Sequence, residues 1–334
     1  MSKHYVGHLS ACDPLHDYLQ YDILPQLGQK DRRPVFRVFR LGGSNEVYLY
    51  QEKHSRVEII GKFFAMHGGT GMEREFHNLC LLRSYGLADK PHYVVRPLGY
   101  NGWLNSVLVE EYCQGRSLGE VILAAIFRGQ RDLLYKKLTS LAYFLATQHN
   151  RTANGYGVNF DEDCAYLDHI VRRLARKHFI SSEEVAEFAW LRDRWREQPR
   201  MWEDQQVLVH GDATPSNFLF GSGLNVMAID LENMKRADRV FDIGRIAGEI
   251  QHFFLQHSGN KYEAEPFIGH FFWEYACHFP DRYSAFRSIT NRVPYQMGLT
   301  LLRIARNSWV SDDYRRRLIE EAKLTLRTYW QTYS

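Results

Sequence analysis

The sequence predicts an α+β protein of two lobes, a β-rich N-terminal lobe over residues 1–112 and a mainly helical C-terminal lobe over residues 113–334. Three observations carry this. β-branched and aromatic runs crowd the first third of the chain, helical periodicity dominates from Leu118 onward, and a single strand–loop–strand unit interrupts the helices between Val207 and Asp230.

Residues up to about 33 are expected to form a short helical lead-in, with Leu15, Tyr18, Leu19 and Ile23 near helical spacing. Three strands follow, over Val35 to Phe39, Val47 to Tyr50 and Val57 to Phe64, the first two separated by a Gly42-Gly43-Ser44-Asn45 turn. His67 to Gly71 reads as a flexible link. A helix is expected from about Met72 to Tyr85, where Gly86 supplies a C-terminal stop. Tyr93 to Leu98 and Val107 to Tyr112 give two further strands. Beyond them lie an amphipathic helix at Leu138 to His149, a helical pair at Asp163 to Lys177 and Ser182 to Glu197, and a last clear helix at Arg315 to Trp330.

Composition narrows the function classes. The 334 residues carry 20 Phe, 20 Tyr and 7 Trp, enough aromatic bulk for a large packed core. Lys and Arg number 42 against 39 Asp and Glu, and a surplus of only three argues against nucleic acid as a partner. No apolar run is long enough to cross a bilayer, and the N-terminus lacks a signal-peptide core, so a cytoplasmic location and no membrane partner are expected. Five scattered cysteines without a CxxC pair fit a reducing compartment and no zinc site. The pairs His252/His257 and His270/His278 lack acidic neighbours at ligand spacing and are not expected to bind metal.

The chemistry concentrates in His210-Gly211-Asp212-Ala213-Thr214-Pro215-Ser216-Asn217 and the later Ile229-Asp230-Leu231-Glu232. Phosphoryl transfer from a nucleotide needs a carboxylate to orient the attacking hydroxyl, and further oxygen ligands for the metal that bridges the phosphates. Asp212, Asn217 and Asp230 occur in that order, the first and last each following an apolar strand-like run. Upstream, Lys62 lies inside a strand, and Glu75 on the next helix is placed to hold its ammonium; Glu73 is the rival partner. An ammonium so held keeps its charge for the nucleotide phosphates.

These residues together resemble the aminoglycoside phosphotransferase and choline kinase superfamily, the small-molecule branch of the protein-kinase-like fold. The likeness runs from about Phe36 to Gly248. It implies that Ser44 and Asn45, in Gly43-Ser44-Asn45-Glu46-Val47-Tyr48, lie over the phosphates of ATP, with Lys62 as the third-strand lysine and Glu75 as its partner. It implies that the backbone from Glu111 to Cys113 meets the adenine edge. It makes Asp212 the catalytic carboxylate, Asn217 and Asp230 the Mg2+ ligands, and His210 a brace for the loop. Glu232 follows the Asp-x-Glu form of some branches, as either a supporting group or a direct ligand. Asp242 opens the next helix, with an expected role in N-capping and in tying the catalytic loop by its N–H groups. Ala213-Thr214-Pro215 replaces the basic residue that protein kinases carry after this Asp, which favours a small acceptor over a protein.

The expected activity is therefore ATP- and magnesium-dependent phosphorylation of a small-molecule hydroxyl: an amino sugar, a sugar, an aminoglycoside or a choline-like amino alcohol. The competing class is a non-catalytic nucleotide-binding protein of the same fold, and nucleotidyl transfer is a weaker third. Most of the C-terminal aromatics, Phe253 to Phe286, are expected to fill core. Neither the acceptor nor the oligomeric state is written in these residues.

Overall fold

The computed structural model describes residues 3–29, 33–42, 46–64 and 70–330. The chain divides into two compact units, one of residues 1–115 with 227–233 and one of residues 116–226 with 234–334.

The first unit is built on a six-stranded antiparallel sheet. Its strands are β1 (Lys3–His8), β2 (Phe36–Leu41), β3 (Glu46–Glu52), β4 (Glu58–Phe63), β6 (Pro97–Asn101) and β7 (Val107–Glu111); β5 (His92–Val94) lies outside it. The spatial order is β1-β2-β3-β4-β7-β6. One face is apolar because alternate residues project the same way along a strand. Phe36, Val38, Tyr50, Ile59, Val107 and Val109 cover it, and Leu15, Leu19, Ile23 and Leu24 of the N-terminal helical segment pack on them. The other face carries Lys62, whose register partners are Val47 and Leu108. Helix α2 (Thr70–Ser84) follows β4 and ends at Gly86, whose φ of 86° supplies the left-handed stop.

Two expectations for this unit need correction. The lead-in is not helical throughout, because Lys3–His8 is an edge strand whose partners run from Lys3↔Leu41 to His8↔Arg37. Its side chains are largely exposed, so main-chain hydrogen bonding to β2 rather than an apolar pattern holds it. The strand expected over Tyr93 to Leu98 is broken into β5 and β6. Between them Val95 donates its N–H to Ala228 O on the strand that neighbours β5, whereas β6 joins the main sheet beside β7.

The second unit is mainly helical: α3 (Leu118–Arg128), α4 (Arg131–Thr152), α5 (Phe160–Arg176), α6 (Ser182–Arg196), α7 (Val240–His257), α8 (Glu265–Ala276), α9 (Arg282–Ala305) and α10 (Asp312–Leu326). Leu134, Leu138, Leu141, Leu145 and His149 form the buried stripe of α4 at helical spacing. Helices α5, α6, α9 and α10 enclose a common core with Trp195 and Tyr295 at its centre. Of the C-terminal aromatics expected to fill core, Phe254, Phe267, Phe271, Phe272 and Tyr275 do so, whereas Phe253, Trp273, Phe279 and Phe286 are half-buried and Tyr283 is exposed.

Two features of this unit position the candidate site. Of the later strands, β8 (Arg116–Ser117), β9 (Val207–Val209), β10 (Phe218–Phe220), β11 (Val226–Ala228) and β12 (Lys235–Ala237), β9 pairs with β12 and fixes the chain that enters His210. Helices α7 and α9 approach closely at Gly244 and Gly248. A Cβ there would lie 2.4 Å from Gln296 Cβ and 2.8 Å from Thr300 Cβ, so only hydrogen at these sites lets the backbones meet. That approach sets α7 side chains beside those of α9. Among the described residues no helix is long and apolar enough to cross a membrane.

Candidate active site

In the first unit Lys62 is nearly buried and lies between carboxylates. Its Nζ donates to Glu75 Oε2 at 2.7 Å and to Asp230 Oδ1, and Glu232 Oε2 lies 3.9 Å away. Glu73, the rival partner, is exposed. Burial disfavours the Lys62 charge, but Glu75 and Asp230 outweigh it and hold the ammonium well above its ordinary value. Burial pushes the Glu75 carboxyl up to about 7 against the opposing pull of Lys62. Glu75 Oε1 also accepts the Leu231 N–H at 3.2 Å, and Asn78 Nδ2 donates to Leu231 O at 2.8 Å. Helix α2 thus holds the backbone next to Asp230, which has a φ of 66°. That left-handed conformation is costly for a non-glycine residue and persists only where its surroundings enforce it.

Ligand oxygens of Glu75, Asp230 and Glu232 all lie within 4.8 Å of one another, the one such group among the described residues. The histidines considered above do not join it: His252 Nδ1 lies 2.9 Å from Tyr314 Oη, and His270 Nε2 2.9 Å from Thr139 Oγ1.

Two carboxyls of β7 lie on opposite faces of the sheet, Glu110 on that of Lys62 and Glu111 on that of Ile59. Glu111 Oε1 accepts the Arg96 N–H at 2.8 Å, and the N–H of Glu111 is committed to Arg96 O at 3.0 Å. Any backbone contact of Glu111 with a base therefore falls to its carbonyl. Cys113 is half-buried, its thiol pushed up by burial and then by Glu111. Glu110 was not anticipated. It is buried, its Oε1 has no hydrogen-bond partner, and burial followed by Glu75 drives its pKa well above the carboxylate range. Ser44 and Asn45 lie outside the described residues.

In the second unit the loop after β9 is tied down by Asp242 of α7. One carboxylate accepts His210 N–H at 2.6 Å and Gly211 N–H at 3.1 Å. His149 Nε2 lies 3.3 Å from the same group, and its Nδ1 is 2.9 Å from Tyr275 Oη. Burial raises the Asp242 carboxyl, but these partners win and hold it below the usual range, whereas burial lowers His149 and keeps it neutral. A neutral His149 then donates through Nε2 and accepts from Tyr275. The capping half of the Asp242 expectation is wrong: Asp238 Oδ1 takes the Val240 N–H at 3.0 Å, since Asp242 already sits within the first turn. His210 is fully buried with its ring centroid 5.3 Å from that of Phe218, a brace as expected.

Asp212 and Asn217 meet through the loop itself, Asn217 Nδ2 donating to Asp212 O at 2.9 Å. The Asp212 carboxylate is held by two arginines that sequence reasoning missed. Arg245 Nη1 donates to Asp212 Oδ1 at 2.9 Å and to Gly211 O at 2.7 Å. Arg303 Nη1 lies 3.5 Å from the same Oδ1, and its Nη2 donates to Glu249. The available signal was the sequence of α7 itself, an all-round buried helix that nevertheless carries Asp242, Arg245 and Glu249.

Beside this loop lies a pocket of about 520 Å³, floored by Thr214 to Ser216 and walled by α3, α7 and the C-terminal end of α9 with Asn307 and Trp309. Its volume is in the range that holds small molecules.

Comparison with known proteins agrees with this architecture. The ethanolamine kinase of Plasmodium vivax superposes with a TM-score of 0.60 at 13% identity, over 88% of this chain and 84% of that one. The choline kinase LicA of Streptococcus pneumoniae gives 0.51 at 18% identity, over 87% and 93%. An ADP-bound aminoglycoside phosphotransferase, APH(2'')-Ib, gives 0.57 at 11% identity, over 96% and 99%. At such identities these likenesses show the fold. No curated protein sequence matches the chain. The profile of the phosphotransferase enzyme family, APH, matches residues 35–267, well over half of the sequence, and the chain belongs to that family.

Proposed function

We propose that this protein is a small-molecule kinase that transfers the γ-phosphoryl group of ATP to a hydroxyl of its acceptor. Asp212 orients that hydroxyl and takes its proton. The acceptor oxygen forms a bond to phosphorus as the bridging bond to ADP breaks. With Oδ1 occupied by Arg245, Asp212 is fixed in direction and its second oxygen is left for the hydroxyl. Lys62 holds the donor phosphates, and Ser44 and Asn45 are assigned to the same phosphates by the family motif. The backbone from Glu111 to Cys113 is assigned to the adenine edge.

The donor chemistry suits magnesium, because the carboxylates of Asp230 and Glu232 and the side-chain oxygen of Asn217 are hard oxygen ligands. Asn217 and Asp230 are assigned to the ion by the family motif, with Glu232, whose ligand oxygen lies within 4.8 Å of that of Asp230, as a further oxygen donor. Bound magnesium would neutralise charge developing on the transferred group.

The observation that carries the proposal is the grip of Lys62 on both Glu75 and Asp230, a buried ammonium placed where an incoming polyphosphate can replace a carboxylate. The test is ADP release from Mg-ATP over a panel of aminoglycosides, choline, ethanolamine, sugars and amino sugars. Acceptor-stimulated release that falls by about a thousandfold or more in Asp212→Asn supports the kinase. Stimulated release that survives in Asp212→Asn contradicts it.

A further inference from the structure

Asp212 and Glu249 share one guanidinium. Arg303 Nη2 donates to Glu249 Oε1, while its Nη1 lies 3.5 Å from Asp212 Oδ1, beyond the usual length of a hydrogen bond. Arg245 approaches the same Oδ1 at 2.9 Å, and Asp212 Oδ2 accepts no hydrogen bond from a described residue. Charges therefore alternate along one line of contacts, from Glu249 to Arg303 to Asp212 to Arg245. The backbone sets their spacing, since α7 carries Arg245 and Glu249 one turn apart and α9 supplies Arg303.

Arg303 leans toward Glu249. Burial disfavours the Arg303 charge, but Glu249 first and Asp212 second sustain it and hold it above its ordinary value. Glu249 is itself buried, so the attraction between the two is screened little. The Nε of Arg303 is also buried and has no hydrogen-bond partner among the described residues. A guanidinium with an unused donor and a carboxylate with an unused oxygen thus lie at the two ends of a long contact. The planar fork of arginine matches both oxygens of a carboxylate, and the two-point grip is the stronger one. Commitment of Nη2 to Glu249 is what withholds that grip from Asp212.

We propose that Glu249 is a positioning residue: by anchoring Arg303 it keeps this arginine from closing on Asp212, and so leaves Oδ2 open to the hydroxyl of the acceptor. The inference rests on the kinase reading for the use of that oxygen, while the anchoring is a property of the side chains alone. Neutralising Glu249 leaves a buried guanidinium without its main partner, and the other carboxylate acting on it is Asp212. Held at both oxygens, Asp212 no longer offers one to the hydroxyl. An ion pair that merely joined α7 to α9 would register in stability and not in turnover by the folded chain.

Steady-state ADP release with a responding acceptor, melting curves and one crystal structure test this on variants of the intact chain. Rates are compared below the lowest melting midpoint, so that folding is not what differs. Glu249→Gln keeps the shape and removes the charge, and should lower kcat by about tenfold or more with KM for ATP within about twofold. Its crystal structure should place a guanidinium nitrogen of Arg303 within hydrogen-bond reach of Asp212 Oδ2. Glu249→Asp returns the charge on a shorter side chain, and its kcat should exceed that of Glu249→Gln by about threefold or more. Adding Arg303→Gln to Glu249→Gln removes the intruding cation and should raise kcat by about fivefold or more over the single variant. A double variant no faster than Glu249→Gln, or a lower melting midpoint with unchanged kcat, overturns the proposal. If the wild-type chain transfers no phosphoryl group to any acceptor, the kinase reading falls instead. The Glu249→Gln crystal structure then still decides the anchoring, which is refuted if Arg303 stays clear of Asp212 Oδ2.

Discussion

Arg245 donates through one nitrogen, Nη1, to the Asp212 carboxylate and to the carbonyl of Gly211, joining α7 to the loop at both a side chain and a backbone oxygen. The pair is nearly buried on the arginine side, so its attraction is weakly screened. Arg245→Met should lower kcat by roughly ten- to a hundredfold with little change in KM for ATP, because Asp212 loses its direction rather than its charge. Arg245→Lys should recover part of the loss, as the charge returns without the planar fork. Steady-state kinetics on both variants, with melting curves to confirm folding, checks this; an unchanged kcat in the Met variant would remove Arg245 from the account.

Lys62 and Glu75 allow structural and functional roles to be separated. Lys62→Met strands a fully buried carboxylate and should cost roughly 3 kcal/mol of stability as well as ATP affinity. The double variant Lys62→Met/Glu75→Gln removes that stranded charge and should regain most of the stability while remaining inactive. Denaturant unfolding and nucleotide titration on the same samples measure both quantities. Recovery of activity together with stability would mean that Lys62 serves the fold alone.

Asp163, on α5 and far from any proposed chemistry in sequence, gives a pH prediction. Burial raises its carboxyl from 3.8 to about 7 against the attraction of Lys235. The folded state therefore binds a proton that the unfolded state has released, and stability falls as pH rises from about 4 to about 7. Asp163→Asn removes the titration with little change in the size and shape of the side chain. It should stabilise the protein near pH 8 by on the order of 4 kcal/mol at most, with much less gain near pH 5. Thermal unfolding of both proteins across that range gives the answer, and a gain independent of pH would contradict the assignment.

Much of the candidate site is written locally in the chain, and the rest is not, for physical reasons. Lys62 and Glu75 sit on consecutive elements, so a strand period followed by a helix period is enough to bring them together. Asp212 and Asn217 share a loop. Arg303 lies on α9, some ninety residues from Asp212, and only the close passage of α7 and α9 at Gly244 and Gly248 brings it near. Glu110 reads in sequence as an ordinary strand charge, and only the six-stranded order places it on the Lys62 face. Strand β1 escaped notice because its side chains are exposed and carry no apolar signature.

The central claim is transfer of a phosphoryl group to a small hydroxyl acceptor under the direction of Asp212. Phosphorus NMR of the protein with Mg-ATP and a responding acceptor tests it most directly, with Asp212→Asn alongside. The account predicts a new phosphomonoester resonance growing in step with ADP for the wild-type chain, and neither for the variant. AMP with pyrophosphate, or a phosphomonoester that still forms with Asp212→Asn, would contradict it.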